Sequence, residues 1–321
     1  MSRAVAQALM AAKRLLVVSH YDPDGDALGA SLGLSHLLRT QGKQVWVYSA
    51  GPIPEEYEFL PGMDQVSDGL PPLKEVEMAA LLDCHQPERA GAKAAEFLAG
   101  VPRAVVVDHH RGPVEYGDPA WVDAGYAATC LMLAEMALEA GWEISPAAAT
   151  CLFAGLQTDT GSFRYSNATP RAFRAAAKLV EAGADPWAVS QQVYATRVKR
   201  LRLLARVLER MAVLAGGRLA VGQVSLIDLA EMDADSRDLE DAVEAIRGVP
   251  GVEVAALVRE MKTGGVKASM RSRGGVDVAA VAIALGGGGH KSAAGMRMDL
   301  SLAEARELII SRLLKAMGAE A

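Results

Sequence analysis

Three short runs, "RLLVV" (residues 14–18), "MAALLD" (78–83) and "RAVVVD" (103–108), most constrain this chain. They are too short for helices and apolar almost throughout, without the alternation of a strand that is wet on one face. Such strands are buried on both sides, which fits a parallel sheet covered by helices. "QVWVYSA" (44–50) reads as a fourth strand. Helical segments lie between and after them: "GDALGASLGLSHLLRTQGK", "ATCLMLAEMALEAG", "SPAAATCLFAGLQTDT" and "TPRAFRAAAKLVEAG". The last two open on Ser-Pro and Thr-Pro, a cap followed by a proline suited to the first turn. The expected class is α/β with a parallel sheet.

The ends of these runs carry the polar chemistry. Open parallel sheets bind ligands beyond the carboxyl ends of their strands. After the first run comes "SHYDPDGDALGA", with His20, Asp22, Asp24 and Asp26. The second ends on Asp83 and the third on Asp108, His109 and His110, while Asp159 closes the apolar segment "CLFAGLQTD". Taken singly, "DPDGD" suits a turn, and Asp83 suits a helix cap. A calcium loop fits poorly, because the glycine is misplaced and no closing Glu follows. Taken together, clustered carboxylates and imidazoles suit two divalent cations such as Mn²⁺ or Mg²⁺, whose charge removes the mutual repulsion. Such a pair can hold a phosphate and activate water.

Composition narrows the class. The chain has 321 residues, about half of them hydrophobic, and a net charge of −6. That size accommodates two domains, and the acidic balance argues against coating long duplex nucleic acid. Three cysteines, Cys84, Cys130 and Cys151, form no C-x-x-C pair, so a reducing cytoplasm is expected. The apolar stretch at the start precedes Lys13 and Arg14, the reverse of a signal peptide. No apolar run is long enough to span a membrane.

The expected divisions are a metal-binding domain over 1–190, a helical connector over 191–214 and a smaller α/β domain over 215–321, with a cleft between the domains. In the last, "LEDAVEAIRGV" reads as helix, "GVEVAALVRE" and "GVKASMRS" as strands, and "DVAAVAIALGGGGH" as helix running into a glycine loop. Glycine lets backbone N–H groups approach an anion, though a flexible linker reads equally from the same run. Between residues 261 and 298 stand six basic residues and one acid, Asp277. In an acidic chain this is a local reversal of sign.

H-x-x-x-D-x-D (His20, Asp24, Asp26), a lone Asp83, D-H-H (108–110) and T-D-T-G (158–161) resemble the four motifs of the DHH phosphoesterase superfamily. "GGGGHKSAAG" (286–295) is similar to the signature of its DHHA1 domain. The resemblance covers nearly the whole chain, and the nanoRNase group fits best in length and layout. It implies that His20 and Asp24 bind one cation, that Asp26, His109 and Asp159 bind a second, and that Asp83 bridges both. It implies that His110 acts on the substrate phosphate and Asp108 orients an imidazole, while Asp22 shapes the turn. It places Arg271, Ser272, the backbone of Gly287, Gly288 and Gly289, and His290 on the substrate. Mn²⁺ is expected ahead of Mg²⁺.

The implied activity is hydrolysis of short oligoribonucleotides to mononucleotides and removal of the 3′-phosphate of 3′-phosphoadenosine-5′-phosphate (pAp). A homodimer is compatible with it, and neither membrane nor long duplex partners are expected. Phe163 or Tyr165, in "SFRYSNATP", is a candidate to stack on a base or to pack internally. A cyclic or linear dinucleotide phosphodiesterase shares the two-domain layout. A RecJ-like single-strand exonuclease needs additional domains, and a family II pyrophosphatase has a different second domain. A regulator on a decayed scaffold would have lost ligands, and none is missing.

Overall fold

The computed structural model describes residues 1–239 and 242–319. The chain forms two compact units, Met1–Ala195 and Thr196–Ala321.

The first unit holds six parallel strands: β1 (Arg14–Val18), β2 (Gln44–Tyr48), β3 (Val66–Ser67), β4 (Met78–Leu82), β5 (Ala104–Asp108) and β6 (Ala120–Val122). They lie in the order β3-β2-β1-β4-β5-β6, all pairs parallel. The helices are α1 (Ser2–Ala11), α2 (Gly25–Thr40), α3 (Ala92–Ala99), α4 (Thr129–Glu139), α5 (Pro146–Asp159), α6 (Pro170–Glu181) and α7 (Pro186–Val193). Alternate residues of the strands serve opposite faces. Leu15, Val17, Ala80, Leu82, Val105 and Val107 join the core formed with α2, α4 and α5. Leu16, Val18, Ala79, Leu81 and Val106 pack with Ala94 and Leu98 of α3 on the other face. The continuous apolar runs thus reflect burial on both sides, as expected. The strand order reverses between β1 and β4, the switch point where open α/β sheets place ligands.

Helices α2 and α5 pack unusually closely. A Cβ on Gly29 would lie 2.5 Å from the Cys151 carbonyl oxygen, and one on Gly33 2.6 Å from Leu152 Cδ2. The spacing of Gly25, Gly29 and Gly33 puts all three on one face of α2. Both helices point an end at the β1–β4 edge.

The second unit has a six-stranded mixed sheet in the order β11-β12-β10-β9-β8-β7. Its strands are β7 (Ala212–Leu214), β8 (Leu219–Val224), β9 (Val254–Glu260), β10 (Val266–Ser272), β11 (Gly288–His290) and β12 (Ala293–Met298). Among the described residues only β8 and β9 pair in parallel in this sheet. Its helices are α8 (Val198–Glu209), α9 (Leu226–Glu231), α10 (Ala242–Arg247), α11 (Val278–Ile283) and α12 (Leu302–Met317). Ser301 and Glu304 form a reciprocal cap at the start of α12, closing two otherwise orphan N–H groups.

Two segments differ from expectation in detail. The stretch 191–214 includes α8, whose Leu203 and Val207 are fully buried against the second unit's own core, because its apolar face needs cover. The glycine run also includes paired backbone: Gly288, Gly289 and His290 form an edge strand on β12. A Cβ on Gly287 would lie 2.4 Å from Gly295 O, and one on Gly289 2.5 Å from Ala293 O. The helix expected over 239–249 is described from Ala242 to Arg247; residues 240 and 241 lie outside the described residues.

Candidate metal centre

The residues that follow β1, β4 and β5 converge with the facing ends of α2 and α5. Asp24 caps α2, its Oδ1 accepting from the backbone N–H of Asp26 and Ala27 at 3.0 Å each. This cap fixes the turn after β1 and places Asp26 in the first helical turn. His20 donates from Nδ1 to the Tyr21 carbonyl at 2.9 Å. A ring held through Nδ1 aims Nε2 at the carboxylates: Nε2 lies 3.4 Å from Asp83 Oδ2 and 3.9 Å from Asp24 Oδ1.

Asp83 stands just beyond β4 with a left-handed φ of +57°, a conformation Asp tolerates better than most residues. Its second oxygen, Oδ1, faces the other way. It accepts from Thr129 Oγ1 at 3.0 Å and lies 3.4 Å from His109 Nε2. His109 Nε2 is also 3.2 Å from Asp159 Oδ2 and 3.8 Å from Asp26 Oδ2. One carboxylate therefore joins two clusters: His20, Asp24 and Asp83 on one side, and Asp26, His109 and Asp159 on the other. Within each, the donor atoms lie within 4.8 Å of one another, as they also do for Asp83, His109 and His110.

Asp26 is fully buried and anchored across the fold. Its oxygens accept from the N–H groups of Thr129 and Cys130 at 2.6 and 2.9 Å. Ala128, at the N-cap of α4, has no capping side chain, so Asp26 supplies that cap from a distant part of the chain, where the helix dipole favours an anion. Asp159 is the last residue of α5, the end at which the dipole disfavours a carboxylate. Asp26 and Asp83 form the floor, while Asp24, Asp159 and His110 reach solvent, His110 with 40% of its side chain exposed.

The electrostatics show carboxylates short of positive charge. Burial pushes Asp26 upward, and the Asp83 and Asp159 charges push it further. Burial also raises Asp159, with the bond from His109 opposing. Burial alone would raise Asp83, but bonds from His109 and His20 hold it well below the usual range. Burial would lower His109, yet bonds to Asp159 and Asp83 and the Asp26 charge push it up to about 11. Two imidazoles, His20 and His109, share four carboxylates, Asp24, Asp26, Asp83 and Asp159, and divalent cations fit this donor set of imidazole nitrogens and carboxylate oxygens.

Asp108 stands apart from both clusters. It accepts from His110 Nδ1 at 2.8 Å, from the His110 N–H at 3.0 Å and from His85 Nδ1 at 2.5 Å. Sequence reasoning missed His85 and Thr129. The first had a signal, since it falls two residues after Asp83 in "LLDCH"; the second had none. Asp22 is exposed at φ +54°, in the turn where it was expected. Phe163 packs on Phe153 and Phe173, and Tyr165 is 53% exposed.

In the second unit, Arg271 donates from Nε to Glu244 at 2.8 Å. Ser272 faces the opposite side of β10, buried, its hydroxyl donating to Val276 O at 2.7 Å. The Gly287 N–H is taken by Ala282 O, and His290 is exposed. A cavity of about 530 Å³ is lined by Glu244, Arg247, Gly248, Ser272, Arg273, Gly274 and Ser292.

Among the described residues, no helix is long and apolar enough to cross a membrane. The three cysteines are free and buried.

The family model for the DHH family, N-terminal domain, matches residues 14–156, and that for the DHHA1 domain matches residues 216–318. The bifunctional oligoribonuclease and PAP phosphatase NrnA of Thermus thermophilus is 35% identical over 314 residues, covering 96% of this chain and 92% of that protein. The crystal structure of an exopolyphosphatase-related protein from Bacteroides fragilis superposes with a TM-score of 0.89 at 26% identity, covering 98% of this chain and 95% of that one. RecJ from Thermus thermophilus, solved in complex with Mn²⁺, shares the fold with a TM-score of 0.52 at 18% identity, covering 99% of this chain and 54% of RecJ. The chain belongs to the DHH family of phosphoesterases and carries the DHHA1 domain as its second unit.

Proposed function

We propose that the protein hydrolyses short oligoribonucleotides to mononucleotides and removes the 3′-phosphate of pAp, using two divalent cations, Mn²⁺ ahead of Mg²⁺. The observation that carries this reading is the divided Asp83 carboxylate, one oxygen toward His20 and the other toward His109. The name of the Thermus thermophilus relative supports the substrate class, and the Mn²⁺ in RecJ supports the metal.

His20 and Asp24 hold one cation; Asp26, His109 and Asp159 hold the other; Asp83 serves both. Bound there, the cations supply Lewis-acid stabilisation of phosphoryl oxygens and lower the pKa of water. The protein's own residues do the positioning. Asp108 accepts a hydrogen bond from His110 Nδ1 and so leaves its Nε2 for the substrate phosphate. Asp26, tied to α4, keeps the floor rigid. In the second unit Arg271, whose planar fork suits phosphate, and His290 bind substrate, with Ser272 shaping the turn beneath them and Gly287, Gly288 and Gly289 allowing close approach.

The test is a hydrolysis assay with added Mn²⁺ on pAp, a diribonucleotide, a cyclic dinucleotide, pyrophosphate and a long single strand. Turnover is expected to be highest on pAp and the diribonucleotide and to vanish with chelator. Preference for pyrophosphate or the long strand would overturn the reading. Arg271→Ala is expected to raise KM for pAp and the diribonucleotide with bound metal unchanged.

A further inference from the structure

The second sheet carries a charged row that the site so far described does not use. In β10, burial alternates strictly along Val266–Ser272, so Lys267, Ser269 and Arg271 share the half-exposed face. Opposite Lys267 stand Arg259 on β9 and Arg297 on β12. Opposite Ser269 stands Gly295, itself opposite Gly288, and opposite Arg271 stands Ala293, itself opposite His290. Directly opposed residues lie on one face. On β9 that face is covered, since Ala255 and Leu257 are buried with residues of α8, α9 and α10. On β12 and β11 it is open: Gly295 and Ala293 are half-exposed, and Arg297, Gly288 and His290 are exposed. The result is a floor of glycine, alanine and serine, with Arg271 and His290 at one end and Arg259, Lys267 and Arg297 at the other.

Like charges opposed across strands are destabilising. Burial and then the Arg297 charge lower the Arg259 pKa, and no ion pair to Arg259 or Arg297 occurs among the described residues. Two arginines so placed fit an anion, whose phosphates their planar forks suit. The row's place sets the spacing: Lys267 and Arg271 are four residues apart on one strand, about 13 Å. Stacked nucleotides rise about 3.4 Å each, so the row lies about four nucleotides from the Arg271 end. Small residues between leave room for a chain to lie flat.

We propose that this face of β10, β11 and β12 is a track for single-stranded oligonucleotides, on which Arg259 and Arg297 contact phosphates of substrates of about four or five nucleotides and not those of pAp. The proposal rests on the short-oligonucleotide reading above and extends it to how length is sensed.

The test is fluorescence anisotropy of 5′-labelled pentaadenylate on metal-free full-length protein between 50 and 200 mM salt. Each phosphate contact to a single strand contributes about 0.7 to the slope of log affinity against log salt. In Arg259→Gln/Arg297→Gln the slope is expected to fall by about 1.4, so the loss of affinity over that range shrinks about sevenfold. Competition by pAp is expected to stay within about twofold of wild type. Arg297→Gln alone, at an exposed position, is expected to lower the slope by about 0.7, and Arg297→Lys to restore it. An unchanged slope in both Gln variants, or no pentaadenylate binding by wild type, overturns the track. Anisotropy reads binding alone, so failure of the proposed hydrolysis would show in the assay above and not here.

Discussion

Asp83 and Asp108 each end an apolar strand run, and each meets histidines, yet their surroundings give them different work. Asp83 divides its oxygens between two clusters; Asp108 spends both on His85 and His110. Replacing a group that only orients a ligand or a catalytic ring typically costs 10–100-fold. Asp83→Asn tolerates the left-handed backbone, as Asn does, and removes the shared charge. It is expected to lower kcat/KM by more than about 10³-fold and to lose bound metal, against about 10–100-fold with full metal content for Asp108→Asn. Activity assays with metal analysis separate the two. Equal losses would remove the distinction between shared ligand and orienting group. The sequence displayed both aspartates in the same way, as stops to apolar runs. What it did not display was the direction of each oxygen, which depends on Thr129 and His85 from other segments.

At the scale of elements, the contact of α2 with α5 governs the separation of Asp26 from Asp159, since each helix delivers one of them. Gly29→Ala gains helix propensity of about 1 kcal/mol but forces a Cβ within 2.5 Å of the Cys151 carbonyl. Overpacking of this kind costs about 1–3 kcal/mol. The variant is expected to unfold about 1–2 kcal/mol more easily in urea and to lose activity as the helices part. Gly275→Ala, with open space around it, is the control and should change stability by less than about 0.5 kcal/mol. Strands β1, β2, β4 and β5 and most of the longer helices were legible because buried strands and capped helices leave periodic marks; the short edge strands β3 and β6 were not. The edge strand β11 was not, because two glycines and a histidine carry no periodicity. Its pairing follows from the close approach to β12 that only glycine permits.

Over the whole molecule, the clustered residues tie cation binding to folding. A ligand held by the folded state alone adds about 2.7 kcal/mol at a hundred times its Kd. For a unit of this size, that corresponds to a rise in Tm of roughly 5–10 °C. Calorimetry of the full chain with and without Mn²⁺ is expected to show that rise in wild type and to lose most of it in Asp83→Asn. No response in wild type would count against the centre. The domain signatures at both ends of the chain were legible as motifs. The division at Ala195–Thr196 was not, because α8 carries charge along one face and declares its core only by what Leu203 and Val207 touch. The proposed centre draws on residues from His20 to Asp159, a span of 139 positions (159 − 20). Ribosomes add about 5–20 residues per second. The nascent chain is therefore unable to assemble this centre until α5 has emerged, and the DHHA1 unit is made only afterwards.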